Sequence, residues 1–145
     1  MEYPINMKKY LISAVGIILF ASLAYGQTNK PESWEAPATA DELKNNYASE
    51  NDLNAGKQTF DMYCWSCHGK EGLGDGPAGG ALPIKPKNFA DVSITKQSDG
   101  ALYWKLSNGR GNMIGYGSML SEEKRWQLIT YIRSINNKAT ADKSN

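Results

Sequence analysis

Residues 64–68 read CWSCH and contain both cysteines and the single histidine of this 145-residue chain. Two thiols three positions apart, followed directly by an imidazole, fit three kinds of chemistry: a redox dithiol, part of a zinc site, or a covalent attachment point for haem. The surrounding sequence has to decide among the three, because each of them uses this spacing.

The first two readings fit the rest of the chain poorly. A thioredoxin-like dithiol usually lies on a strand-to-helix turn, and nothing in this sequence convincingly predicts a strand. A structural zinc ion needs four Cys or His ligands, whereas this chain has only three such residues, all within CWSCH. The remaining reading is C-x-x-C-H, the signal for c-type haem: one helical turn places Cys64 and Cys67 on the same side, and His68 supplies the fifth ligand of the iron.

The segments around this motif predict helices. From Asp52 onward, apolar residues and Gly56 recur at helical spacing, so a helix leads directly into Cys64. Gly56 would allow a second helix to approach closely. Residues 69–90 are rich in Gly and Pro and predict a long loop, which in a small domain is usually functional or wrapped around something.

Two more helices follow the loop. Residues 99–109, DGALYWKLSNG, predict a brief helix that ends at Asn108-Gly109. Ser121 is the expected N-cap of the last helix, which begins with two glutamates. The apolar stripe of that helix consists of Leu128, Tyr131, Ile132 and Ile135.

The N-terminal segment of the sequence predicts an exported protein. Residues 1–26 carry Lys8 and Lys9, then an apolar run and small residues before Gln27, as in a signal peptide; a retained membrane helix is the alternative. Residues 27–50 are expected to form an extended N-terminal arm, residues 51–138 the domain, and residues 139–145 a flexible tail. The predicted location is periplasmic or otherwise exported, with membrane anchoring if the leader stays.

The charge balance excludes one class of partner. The 16 Lys and Arg residues nearly equal the 15 Asp and Glu residues, and no segment concentrates one sign. A nucleic-acid-binding protein normally carries a basic patch or stripe. We therefore expect no nucleic-acid partner.

Over about residues 53–136 the chain resembles a small monohaem class I cytochrome c. The matching segments are AGKQTFDMYCWSCHG (55–69), GLGDGP (72–77), DGALYWKLSNGRGNMIGYG (99–117) and LSEEKRWQLITYIRSI (120–135). The resemblance implies an all-α class I cytochrome c fold whose N- and C-terminal helices cross, with Gly56 and Phe60 against Tyr131. It also implies that Gly/Pro-rich loops enclose the haem.

The sixth ligand of the iron cannot be a second histidine of this chain, so it is a methionine, an unusual ligand, or absent. The leader methionines are set aside, and so is Met62, on the proximal side. The resemblance favours Met113 in the segment NMIGYG, where Ile114 replaces the proline that usually follows the ligand. Met119, two residues before the Ser121 cap, is the alternative.

The resemblance implies further contacts around the haem. A backbone carbonyl from a proline-bearing loop is expected to accept a hydrogen bond from His68, and both Gly76-Pro77 and Leu82-Pro83 are candidates. Three side chains are candidates for contacts with the haem propionates: Trp104, Arg110 and Tyr116. The alternatives are core packing for Trp104 and a solvated charge for Arg110.

Ligation by His and Met leaves the iron coordinatively full, and the soft thioether favours the ferrous state. The sequence therefore predicts a one-electron carrier with one covalent haem c and redox proteins as partners, rather than an enzyme. A haem peroxidase or a gas-binding sensor is the alternative if the sixth position is open. A haem subunit associated with a larger membrane complex is a third reading.

Overall fold

A computed structural model describes residues 33–141, with side chains as far as Asn136. The chain divides after Trp34, and the unit that begins at Glu35 contains the features discussed below. Its helices are α1 (Glu50–Tyr63), α2 (Trp65–His68), α3 (Val92–Thr95), α4 (Asp99–Asn108) and α5 (Glu122–Ala141), with 3-10 turns at Ala38–Glu42 and Gly79–Ala81. Residues 33–141 form no strand, only an isolated bridge between Arg110 and Met113. The predicted all-α fold is confirmed.

Helix α1 begins two residues before the predicted start because Ser49 caps it. The Ser49 hydroxyl accepts a hydrogen bond from the Asp52 amide at 3.2 Å, and the Asp52 carboxylate accepts one from the Ser49 amide at 3.1 Å. This reciprocal capping box satisfies two amides that a helix start otherwise leaves without partners.

Helices α1 and α5 cross at the predicted glycine. A Cβ placed on Gly56 would lie 2.0 Å from the backbone oxygen of Gln127, so only glycine permits this approach. One turn further on, the Phe60 ring is fully buried and lies 5.2 Å from the Tyr131 ring, centroid to centroid. Burying a side chain of this size stabilises the fold by roughly 1.5–3 kcal/mol. The crossing of the N- and C-terminal helices is confirmed.

Helix α4 ends, and helix α5 begins, where the sequence predicts. Gly109, with φ +66°, ends α4, and the Ser121 hydroxyl accepts a hydrogen bond from the Lys124 amide at 3.3 Å at the start of α5. The Arg133 guanidinium joins the two helices through Asp99, 2.7 Å away. The buried core comprises Phe60, Cys64, Leu102, Leu106, Tyr116, Leu120, Trp126, Leu128, Ile129 and Ile132.

The described part of the predicted N-terminal arm packs on α4 and α5. Ala40 is buried, and its carbonyl lies so close to Gly100 that a Cβ there would be 1.8 Å from the oxygen. The Asn45 side chain donates to the Thr130 hydroxyl at 2.9 Å, and Tyr47 packs against the core. Residues 35–49 are therefore part of the folded domain.

Two further predictions concern the ends of the chain. The expected leader, residues 1–26, lies outside the described residues. Helix α5 continues to Ala141, past the predicted start of the tail at residue 139. Among the described helices, none combines the length and apolar character needed to cross a membrane.

Candidate functional site

The CWSCH segment forms a single helical turn at the end of α1. The amides of Cys67 and His68 both donate to the Cys64 carbonyl, at 3.2 and 2.9 Å. Both cysteines are free thiols, Cys64 buried and Cys67 half-buried. Burial, together with Cys67, raises the pKa of the Cys64 thiol to about 12. The structure thus brings together the three residues that the motif predicts as haem attachment and ligation groups.

The Gly-rich loop packs its backbone against this turn. Three loop amides donate to three successive carbonyls of the turn: Gly74 to His68 (2.8 Å), Gly76 to Cys67 (3.2 Å) and Ala78 to Ser66 (2.8 Å). A Cβ on Gly76 would lie 2.5 Å from the Ser66 oxygen, so the fit depends on this glycine. The long loop therefore holds the cysteine-bearing turn in place.

The His68 ring is enclosed by the same loop. It stacks on Phe89, with ring centroids 4.7 Å apart and planes 17° from parallel, and the Phe89 amide donates to the Gly72 carbonyl at 2.9 Å. Burial lowers the pKa of His68, and the nearby Lys87 carbonyl partly opposes this. Low pKa favours the neutral imidazole, which is the form that binds metals. Its Nδ1 is buried and has no hydrogen-bond partner among the described residues.

The Gly/Pro-rich loop also supplies a backbone group that acts on the pKa of His68. It belongs to Lys87, which follows Pro86 in the same loop. The Gly76 carbonyl instead accepts from the Gly79 amide at 2.8 Å, and Pro77 is exposed. A chain with three prolines in one loop offers several candidate carbonyls, and only the folded path of the loop selects among them.

The two candidate methionines occupy different environments. Met113 lies in a tight turn closed by hydrogen bonds between the backbones of Arg110 and Met113, at 2.8 and 3.1 Å. It is half-buried and packs against the core cluster that includes Cys64, whereas Met119 is 56% exposed. The structure thus brings Met113, and not Met119, toward the cysteine-bearing core.

The three candidates for propionate contacts are also placed differently. Trp104 is half-buried on α4, and Arg110 is exposed beside Met113. Tyr116 is buried, and its hydroxyl donates to the backbone carbonyl of Tyr63 at 3.1 Å. Burial, with smaller contributions from both cysteines and Tyr63, raises the pKa of Tyr116 to about 12. The contact of Tyr116 with a haem propionate stays a prediction, and the hydrogen bond to Tyr63 is a further contact that the sequence did not indicate.

Sequence reasoning passed over two residues that shape the site, Phe89 and Tyr63. Phe89 is the single aromatic residue in the sequence from 69 to 90, and that was the available signal. Tyr63 takes part through its carbonyl, which leaves no trace in the sequence.

An open surface cleft of about 770 Å³ lies near Trp65, Tyr131 and Ile135. Neither cysteine lines it, and neither do His68 and Met113.

The donor groups at this turn fit a covalent haem c. Two free thiols lie one helical turn apart, a buried imidazole nitrogen has no hydrogen-bond partner among residues 33–141, and a thioether packs against the same cluster. Thiols bond the porphyrin, while imidazole and thioether are axial ligands of c-type haem iron. A helical domain with crossing terminal helices and this attachment turn defines a class I monohaem cytochrome c.

The family comparison gives the same class. Residues 51–132 match the family described as cytochrome c oxidase, cbb3-type, subunit III, and because this is more than half of the chain, the chain belongs to that family. A domain of this family carries a c-type haem and transfers electrons.

A structural comparison adds a second likeness. The chain is similar to a chain of the reducing HAO-like protein complex of Kuenenia stuttgartiensis, with a TM-score of 0.55 and 31% sequence identity. The alignment covers 64% of this chain and 46% of that chain, so the similarity spans less than half of the other protein. Curated proteins give no significant match to the sequence.

Proposed function

We propose that this protein is a one-electron carrier in which Cys64 and Cys67 hold one haem c and His68 and Met113 ligate its iron. The supporting observation is the position of Met113, half-buried against the cluster that contains Cys64. Met119, the other candidate, is mostly exposed and lies next to the Ser121 cap. With two protein ligands the iron has no open position for a substrate, so the proposed function is electron transfer rather than catalysis.

When bound, the haem supplies a centre that accepts and releases a single electron. The chain contributes the ligands and the surroundings that tune this centre. A soft thioether from Met113 and apolar packing from the core both favour the ferrous state, and a fixed imidazole keeps the ligand set the same in both oxidation states. Little rearrangement then accompanies the transfer of an electron.

Covalent attachment is tested by mass spectrometry of the denatured protein. We expect one haem per chain in the wild type and none in the double variant Cys64→Ala/Cys67→Ala. The variant His68→Ala is the matched control. It removes the iron ligand but keeps both thiols, so it separates the loss of iron ligation from the loss of the attachment groups. Release of haem from the wild type by acidified acetone would refute covalent attachment.

Carrier function is tested by ligand binding and peroxide turnover. The oxidised wild type should show the weak far-red band of a sulfur-to-iron bond, and carbon monoxide should bind poorly to the reduced protein near neutral pH. If the reduced protein instead binds carbon monoxide rapidly and the protein reduces peroxide with an added electron donor, it is a peroxidase or a gas-binding protein.

We further propose that the protein is exported to the periplasm or an equivalent compartment and exchanges electrons with redox proteins there. Support comes from the Lys8-Lys9 start, the apolar run and the small residues before Gln27. N-terminal sequencing of exported protein should find cleavage near Gln27. Recovery of the uncleaved chain in washed membranes would favour an anchored protein associated with a membrane complex.

A further inference from the structure

Tyr116 connects the segment that carries Met113 with the segment that carries Cys64. Its hydroxyl donates to the Tyr63 carbonyl at 3.1 Å, and the two rings meet edge to face with centroids 6.1 Å apart. Tyr63 is the last residue of α1 and directly precedes Cys64. Tyr116 follows Met113 by three residues, so this contact spans the two parts of the proposed haem site.

The carbonyl that Tyr116 binds lies at a helix end. The last carbonyls of a helix have no intrahelical partner and need a donor from elsewhere. Tyr116 supplies that donor from a buried position, with 7% of its surface exposed. The hydrogen bond is part-buried, because Tyr63 itself is 40% exposed, so its loss removes one donor from the helix end without leaving a fully buried carbonyl.

The backbone at Tyr116 is fixed on its other side by α4. The Tyr116 amide donates to the Leu106 carbonyl and the Gly117 amide to the Ser107 carbonyl, both at 2.9 Å. The segment after Met113 is thus hydrogen-bonded to α4 through its backbone. The Tyr116 hydroxyl adds a hydrogen bond from this segment to α1.

From this geometry we infer that Tyr116 is a positioning residue that holds the Met113 segment against the turn bearing Cys64. The inference rests on the proposed ligation by Met113. Without the hydroxyl, the ring can still pack, but the segment gains freedom relative to α1. The sulfur of Met113 then competes less well with added ligands for the iron.

The test compares Tyr116→Phe with Tyr63→Phe in the haem-loaded protein. Tyr63→Phe is the matched control, because it removes a hydroxyl from the same pair and keeps both the edge-to-face ring contact and the backbone carbonyl. Imidazole binding to the oxidised protein should tighten about threefold to tenfold in Tyr116→Phe, the range expected for one hydrogen bond. It should stay at the wild-type value in Tyr63→Phe.

Hydrogen exchange supplies a readout that is independent of the iron. In Tyr116→Phe the peptide covering residues 112–119 should exchange several-fold faster, while the peptide covering residues 124–134 of α5 should exchange as in the wild type. A purely structural role would instead speed exchange throughout the domain and lower its thermal stability without a specific change in imidazole affinity.

The outcomes separate this inference from the proposed function. If the wild type shows no far-red sulfur band, ligation by Met113 fails, and the exchange rate of residues 112–119 still decides whether Tyr116 holds the segment. If Tyr116→Phe matches Tyr63→Phe in both imidazole affinity and exchange, the positioning role is overturned.

Discussion

The Cα of Gly56 faces the backbone carbonyl of Gln127 so closely that an added Cβ would lie 2.0 Å from the oxygen and 3.0 Å from the Tyr131 Cβ. Both obstacles are main-chain or Cβ atoms, which cannot rotate away. The separation of α1 and α5 is therefore set by the absence of one methyl group. Because α1 leads directly into Cys64, that separation also fixes where the attachment turn lies.

Gly56→Ala should destabilise the haem-loaded protein. Forcing a methyl group into a closed helix crossing costs about 1–3 kcal/mol, which exceeds the gain of about 1 kcal/mol from better helix propensity. Gln58→Ala, at an exposed position on the same helix, is the control and should change stability little. The comparison is made by urea unfolding; equal midpoints for the two variants would contradict the proposed close packing.

Met113→Ala should remove the far-red band, open the iron to carbon monoxide and lower the reduction potential, because a soft ligand that favours ferrous iron is lost. Met119→Ala is the matched control: its side chain is 56% exposed, so the band should remain and stability should change by about 0.5 kcal/mol or less. Optical spectra and redox titration of the two variants decide. An exchange of their behaviours would assign the ligand to Met119.

Asp52→Asn should reduce the loss of stability in acid. Hydrogen bonds from the Ser49 side chain, and then from Gln127, lower the pKa of Asp52. A carboxylate with a lowered folded-state pKa contributes stability that is fully present above its unfolded value of about 3.9 and is lost as pH falls through the folded value. The wild type should therefore lose stability more steeply than the variant between about pH 5 and pH 2.

Urea midpoints measured across this pH range test the contribution of Asp52. Glu50→Gln removes a carboxylate from the same helical turn while leaving the Ser49–Asp52 capping box intact, and it serves as the control. Parallel curves for the wild type and Asp52→Asn would show that Asp52 does not contribute to the acid response.

Gly76→Ala should separate the Gly-rich loop from the attachment turn. The added Cβ would meet the Ser66 oxygen at 2.5 Å and the Cys67 carbonyl carbon at 2.6 Å, so the loop has to move and its hydrogen bond to Cys67 is strained. Gly80→Ala, in the same loop with nothing within 4 Å of the new Cβ, is the control. Limited proteolysis should cut residues 69–90 faster in Gly76→Ala only; equal rates would show that the loop tolerates a side chain at Gly76.

The sequence alone determined the chemistry of the attachment turn and the main helices. Local spacing was sufficient for these features, because C-x-x-C-H lies within one helical turn and the caps join residues three or four positions apart. Gly56 could also be read in advance, since a glycine within an otherwise good helix needs a reason. The length of α1 was missed by two residues, because Ser49 caps it earlier than the apolar pattern indicated.

Only the tertiary structure decided which groups surround that turn. The sequence offered two proline-bearing sites for a carbonyl partner of His68, Gly76-Pro77 and Leu82-Pro83, whereas the backbone group that acts on the pKa of His68 belongs to Lys87. The resemblance made Tyr116 a candidate contact of the haem propionates, and the structure adds a hydrogen bond from its hydroxyl to a carbonyl 53 positions earlier in the chain. Contacts of this kind depend on backbone atoms that every residue carries and on the path of a long loop, so no residue pattern encodes them.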